Sequence, residues 1–209
     1  MPYSQKYTPP HCFFCNFAGW AVTEKCDPVI ESLMSNVIKL LLNVIKLLLL
    51  GVTQNTLLDT IPDLQKLWKV SMRIKPIGVK TGWSNVFAAT IGNSYNNYGD
   101  RTPALFMKSE TTKLQVCGPV NYPFKFYCIP EPIPVLPMNV FSTVEVQQIP
   151  NENGKSLFIY KLNGVVKWRT TPTYPTTFHN VKVYGSDPWY PPSSVVLEDY
   201  KFHSGMYLS

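Results

Sequence analysis

From about residue 62 onward the apolar positions fall on alternate residues. Leu67-Trp-Lys-Val-Ser-Met-Arg-Ile-Lys75 alternates apolar and polar and stops at Pro76, as a half-buried strand does. Trp83 to Ile91 reads as a second strand, closed by Gly92 and a polar loop from Asn93 to Gly99. Pro103–Met107 and Lys113–Cys117 form a hairpin around Ser109 to Thr112, and Lys125–Cys128 follows. A proline-rich crossing over 129–137 is expected to run without strand pairing, because proline lacks the ladder donor. Phe141–Gln148, Ser156–Leu162 and Val165–Trp168 then make a three-strand meander. Its second turn is Asn163-Gly164, the pair that supplies the positive φ angles of a type I′ hairpin. Phe178–Tyr184 and Val195–Phe202 complete the set. About ten short strands without strand–helix alternation predict an all-β, antiparallel two-sheet sandwich.

The first third of the chain is patterned differently. Residues 1–33 show neither period and read as a poorly ordered extension. Residues 34–53 form an apolar run in which Asn36-Val-Ile-Lys-Leu-Leu-Leu is written twice. On a helix, Asn36, Lys39, Asn43 and Lys46 make one narrow polar stripe on an otherwise Leu/Ile/Val surface. Two heptads are too few for a coiled coil. A stable membrane span is not expected, because the run stops near Val52 and carries two lysines, short of the roughly 20 apolar residues a span needs. Read from Met34, the run has the parts of an export signal: a short n-region with Lys39, a leucine-rich h-region, and Gly51 and Thr53 near a cut. A mature N-terminus between Thr53 and Thr60 is therefore expected.

Charge and cysteines narrow the chemistry. The formal charge is +6, and residues 1–61 are neutral, so the excess lies in 62–209. It is spread singly along strands and turns. A nucleic-acid role needs a clustered basic face with stacking aromatics and is not expected, whereas weak attraction to polyanions such as sulfated glycans remains open. Five cysteines are present: Cys12, Cys15, Cys26, Cys117 and Cys128. In an exported chain Cys117 and Cys128 can pair across a short loop; in a reducing compartment they are two core thiols. His11-Cys12-x-x-Cys15 has half of a zinc spacing, but no second ligand pair follows, so no metal is expected. No Asn-x-Ser/Thr sequon occurs.

Several segments, taken in order, resemble a concanavalin A-like, laminin-G-like domain of the kind common in secreted proteins of marine invertebrates. They are Val70-Ser-Met-Arg-Ile-Lys-Pro76, Gly82-Trp-Ser-Asn-Val-Phe87, Tyr98-Gly-Asp-Arg-Thr-Pro-Ala104, Phe141-Ser-Thr-Val-Glu145, Tyr160-Lys-Leu-Asn-Gly164 and Val181-Lys-Val-Tyr-Gly-Ser-Asp-Pro-Trp-Tyr190. Phe141 stands where that family often has tryptophan. The resemblance spans 62–204 and implies a jelly-roll sandwich with a binding or matrix role. Some members of the superfamily hold calcium at the sandwich rim, where the acids here are Asp100 and Asp187. The same two residues also suit structural work, Asp100 beside Arg101 or capping a turn and Asp187 opening an Asp-Pro turn. Trp189 and Tyr190 are candidates for an aromatic platform under a sugar ring, or for lids over the sandwich edge.

No catalytic pattern is found. Glycosidases on this sandwich need two acids on one strand face. Here Glu145 is followed by Gln147, and the adjacent Glu198 and Asp199 point to opposite faces. His11, His179 and His203 make no metalloprotease pair. The expectation is a secreted, non-enzymatic matrix component that binds matrix proteins or glycans, with a shell or skeletal biomineral as one setting. A lectin-like carbohydrate-binding module is the alternative, and a degenerate glycosidase centred on Glu145 a further one.

Overall fold

A computed structural model of the protein describes residues 53–121 and 127–205. The extension over 1–33, the apolar run up to residue 52, and His11, Cys12, Cys15 and Cys26 lie outside the described residues. Among the latter there are eleven strands: β1 (Thr56–Leu64), β2 (Trp68–Pro76), β3 (Ser84–Thr90), β4 (Ala104–Met107), β5 (Leu114–Gly118), β6 (Tyr127–Cys128), β7 (Ser142–Pro150), β8 (Ser156–Leu162), β9 (Val165–Thr170), β10 (Phe178–Ser186) and β11 (Val195–Ser204). They form two antiparallel sheets, a six-stranded one in the order β1-β10-β3-β4-β5-β6 and a five-stranded one in the order β11-β2-β7-β8-β9. The all-β two-sheet sandwich expected from the alternation is the observed architecture. No helix among the described residues is long and apolar enough to cross a membrane.

The inward face of each sheet follows the period of two. On β2, Trp68, Val70, Met72 and Ile74 are buried, while Lys69, Ser71, Arg73 and Lys75 face away. Val144 and Val146 of β7 and Leu105, Val116, Val181 and Val183 of the other sheet meet them in one core. Trp68 sits among rings, 5.9 Å from Phe158 and 6.0 Å from Phe202 by centroid. Gly118 has no side chain because there is no room for one: a Cβ there would lie 2.4 Å from the Phe158 ring.

The meander β7-β8-β9 is present, and Asn163 and Gly164 at its second turn carry φ of 51° and 77°. Two expectations are corrected. The sandwich opens at Thr56 rather than residue 62, because β1 pairs with β10 from Thr56↔Ser186 to Leu64↔Phe178. Pro62 argues against a strand in the sequence, but β1 lies at the edge of its sheet, where a missing donor costs no ladder bond. The expected mature N-terminus therefore overlaps β1. The proline-rich crossing also pairs locally: Leu114 donates to the Pro134 carbonyl (2.9 Å) and Leu136 to the Thr112 carbonyl (2.9 Å). Proline lacks a donor but keeps its acceptor, and the intervening Leu136 supplies an N–H.

One feature of the six-stranded sheet prepares the site. Every residue of β3, β4 and β5 is buried, on both faces. Leu105, Met107, Leu114 and Val116 face the main core, whereas Ala88, Ala104, Phe106 and Cys117 form a second cluster on the outer side. Loop residues cover that outer side. Thr102 donates to Ala89, Asn85 donates to Pro191, and Ser193 donates to Asn85 (2.8, 2.9 and 2.8 Å).

Two measurements check this packing. Gly118→Ala drives a methyl group into the Phe158 ring and is expected to destabilise the chain by about 1–3 kcal/mol in urea unfolding. The second concerns Tyr98, whose hydroxyl lies 2.8 Å from the carbonyl oxygens of both Pro119 and Tyr174. Burial, and secondarily the Tyr174 phenol, push it from 10.0 up to about 12. The unfolded chain loses that proton near 10, so the folded state holds more protons between the two values. Stability is complete below pH 10 and falls as the pH rises toward 12. Burial raises Tyr160 and Tyr200 in the same direction. Unfolding free energies measured on both sides of about pH 10 should show the fall, and Tyr98→Phe should make it shallower.

Candidate functional site

The β3–β4 loop and the loop after β10 meet over the outer cluster. Asp100 stands at the base of the first loop and is 1% exposed. Its carboxylate accepts the backbone N–H groups of Asn96 and Asn97 (2.7 Å each) and of Asn93 (3.3 Å). The loop curls around this carboxylate because its polar residues offer main-chain donors that the sheet does not use. Asp187 does the same for the second loop, accepting the N–H groups of Trp189 (3.0 Å) and Tyr190 (2.7 Å) in an Asx turn. Burial pushes the Asp187 carboxyl up, opposed by those two N–H groups and by the charge of Arg101.

Arg101 joins the loops. Its Nε donates to the Ser94 carbonyl (2.8 Å) and its Nη2 to the Tyr190 hydroxyl (3.3 Å), while the guanidinium lies 4.7 Å from the Phe106 ring centre. Burial draws its pKa down, and Tyr190, Asp187 and Asp100 favour the cation. Asn85, fully buried, fastens the second loop to the sheet: its Oδ1 accepts the Asp187 N–H (2.9 Å) while its Nδ2 reaches the carbonyls of Phe87 (3.2 Å) and Leu105 (3.3 Å).

Between these loops and the sheet lies an open cleft of about 310 Å³. Its floor is Phe106, Gln115 and the Cys117–Cys128 disulfide, its walls are Trp83 and Tyr190, and Arg101 reaches in from the side. Phe106 and Tyr190 meet edge to face at 5.0 Å. Gln115 is buried and held by a 2.6 Å bond from Nε2 to the Ile129 carbonyl. The cleft thus offers an exposed indole, a phenol, an amide and a guanidinium, and no Asp, Glu or His among the residues described as lining it.

The sequence candidates divide. Tyr190 lines the cleft. Trp189 is just as exposed as Trp83 (40% and 42%), but it stands outside the cleft with its ring against Tyr184 at 6.4 Å. Asp100 and Asp187 are each 1% exposed and are not among the residues lining the cleft. Both oxygens of Asp100 and the Oδ1 of Asp187 accept backbone N–H groups. Among the described residues no three His, Cys, Asp or Glu side chains converge on a metal position. Cys117 and Cys128 are bonded to each other and are not a pair of free core thiols. Trp83, Arg101, Phe106 and Gln115 were not singled out as site residues. One signal for them was available: the four consecutive apolar residues of Ala104–Met107 leave no polar face, so both sides of β4 must be covered.

No protein-family model matches the chain, and none of the curated proteins matches it. Solved structures with a similar arrangement include a native heptameric SAP-like pentraxin from Limulus polyphemus (13% identity, TM-score 0.45), covering 70% of this chain and 67% of the pentraxin. The receptor binding domain of botulinum neurotoxin type G is similar at 9% identity and TM-score 0.47, over 74% of this chain and 43% of that one. The galectin LEC-6 of Caenorhabditis elegans is similar at 10% identity and TM-score 0.38, over 73% and 94%. The chain thus spans less than half the length of the neurotoxin domain. No residue of the cleft is assigned from these likenesses.

Replacing Cys117 and Cys128 by alanine releases a short loop and is expected to cost about 3 kcal/mol by chain entropy. A lower urea midpoint is the expected result, and an unchanged midpoint would show that the bond adds nothing to the fold.

Proposed function

We propose that this domain is an extracellular, non-enzymatic carbohydrate-binding sandwich that holds a sugar ring in the cleft between Trp83 and Tyr190. The observation that carries the reading is the composition of the cleft: an exposed indole and a phenol beside a fixed amide and a guanidinium. A sugar has apolar C–H faces and polar edges. The rings suit the faces, and Gln115, Arg101 and the Tyr190 hydroxyl suit the edges.

Hydrolysis is the less favoured reading. Two carboxylates must flank a glycosidic bond, and the cleft lining described here has none. Glu145, the acid of the glycosidase alternative, lies on the other sheet in an ion pair with Lys69. Export is supported by the Cys117–Cys128 bond, since disulfides persist in oxidising compartments. In that setting the chain is a laminin-G-like component of an extracellular matrix, a biomineral matrix among them, tying a glycan to its neighbours.

A glycan array probed with the full chain tests the reading. Trp83→Ala should lower binding about tenfold, the worth of one stacked ring, while Trp189→Ala should leave it unchanged. The reverse pattern, or an array on which the chain binds nothing, would sink the proposal.

A further inference from the structure

The outer face of the five-stranded sheet carries a chemistry unlike that of the cleft. Residues paired across antiparallel strands share a face, so the registers show which paired side chains point outward together. One row reads His203, Lys69, Gln147, Ile159 and Arg169 across the sheet. The next reads Lys201, Ser71, Glu145, Lys161 and Val166. Arg73 lies opposite Thr143 and Glu198, and Lys75 follows on the same side of β2. Six of the chain's lysines and arginines thus gather on one face, with Glu145, Glu198 and Asp199 as its acids.

The acids are used locally. Glu145 pairs with Lys69, and Arg73 reaches both Glu198 (3.2 Å) and Asp199 (3.5 Å): the register shift after Glu198 breaks the alternation that would have put the two acids on opposite faces. Among the described residues no carboxylate lies within ion-pair distance of Lys161, Arg169 or Lys201. Arg169 and Lys201 are exposed and sit on β9 and β11, the two edges of the sheet. Four inter-strand spacings separate those edges, about 19 Å. One small anion cannot bridge that distance, whereas a linear polymer with repeated negative groups can.

We infer that this face binds an anionic polysaccharide, independently of the cleft. Charge complementarity sets the sign. The neutral groups between the cations set the class: Ser71 and the exposed Thr143 offer hydroxyls to sugar hydroxyls. A nucleic acid would want exposed rings on which bases stack. Phe141, on this side, is covered by Arg73 and Lys75, whose charged groups lie 4.4 and 4.7 Å from its centre. The two faces would let one domain hold a neutral sugar unit on one sheet and a charged chain on the other.

Calorimetric titration of the full chain with dextran sulfate, and with neutral dextran of equal length, over a range of salt concentrations tests the inference. Dextran sulfate should bind more tightly than neutral dextran, and increasingly so as salt falls. The double variant Lys161→Gln/Arg169→Gln should lose affinity about tenfold or more at low salt. The slope of log K against log salt should flatten by about two, roughly one per cation removed. Lys201→Gln, at the opposite edge, should act in the same direction and keeps the test open if the double variant unfolds. Trp83→Ala should leave the dextran sulfate affinity within about twofold, well under 1.4 kcal/mol. Carboxymethyl dextran in place of dextran sulfate shows which anionic group is preferred, with binding to either supporting the inference. It is overturned if the charge variants bind dextran sulfate as tightly as the native chain. It is also overturned if a single-stranded DNA of matched charge binds equally well.

Discussion

Asn85 is fully buried, and its amide serves three backbone groups on three segments at once, β3, β4 and the loop after β10. It sits where β3 and β4 fall out of register, between Asn85 and Phe87. A bulge leaves backbone groups without ladder partners. The side chain takes them up and spends its remaining oxygen on the N–H of Asp187. Main-chain bonds from Asn85 to Pro191 and Ser193 repeat the attachment. The loop that carries Tyr190 is thereby part of the sheet in all but name. An apolar residue at this position would leave several buried polar groups unpaired, each costing about 1–3 kcal/mol.

The two sheets then differ because, among the described residues, loops roof the outer side of the six-stranded sheet alone. Loops anchored by Asp100, Arg101, Asp187 and Asn85 cover the outer side of β3, β4 and β5. Under that cover small and aromatic residues can occupy outward positions, and the gap left between roof and floor is the cleft. The outer side of β2 alternates instead, and its outward residues are the long polar side chains a water-facing sheet requires. A concave apolar-and-polar site and an extended cationic face follow from this difference in covering, within one fold.

Much of the architecture was legible from residues near one another in the chain. Ten of the strands stand within a few residues of where alternation and Asn-Gly turns place them, since period and turn chemistry are local properties. β1 was not legible. Its proline and irregular burial make sense only at a sheet edge, and edge position is a matter of pairing with β10. Of the candidate site, Tyr190 was legible as an aromatic in a turn, and Cys117–Cys128 as a bridge conditional on export. The division of labour between Trp83 and Trp189 was not. Both are exposed indoles near strand ends, and what separates them is which ring lines the cleft together with Phe106 and Gln115.

The sequence by itself determined the fold class, the meander and the sign of the net charge, because each is a sum or a period along the chain. It also set the residue types that the loops use to cap themselves. Tertiary structure decided the rest. It made Asp100 and Asp187 acceptors for backbone N–H groups, since only folding brings those donors to bear. It gathered lysines and arginines that lie singly along five strands into one face, because strand register, not sequence distance, sets which side chains become neighbours.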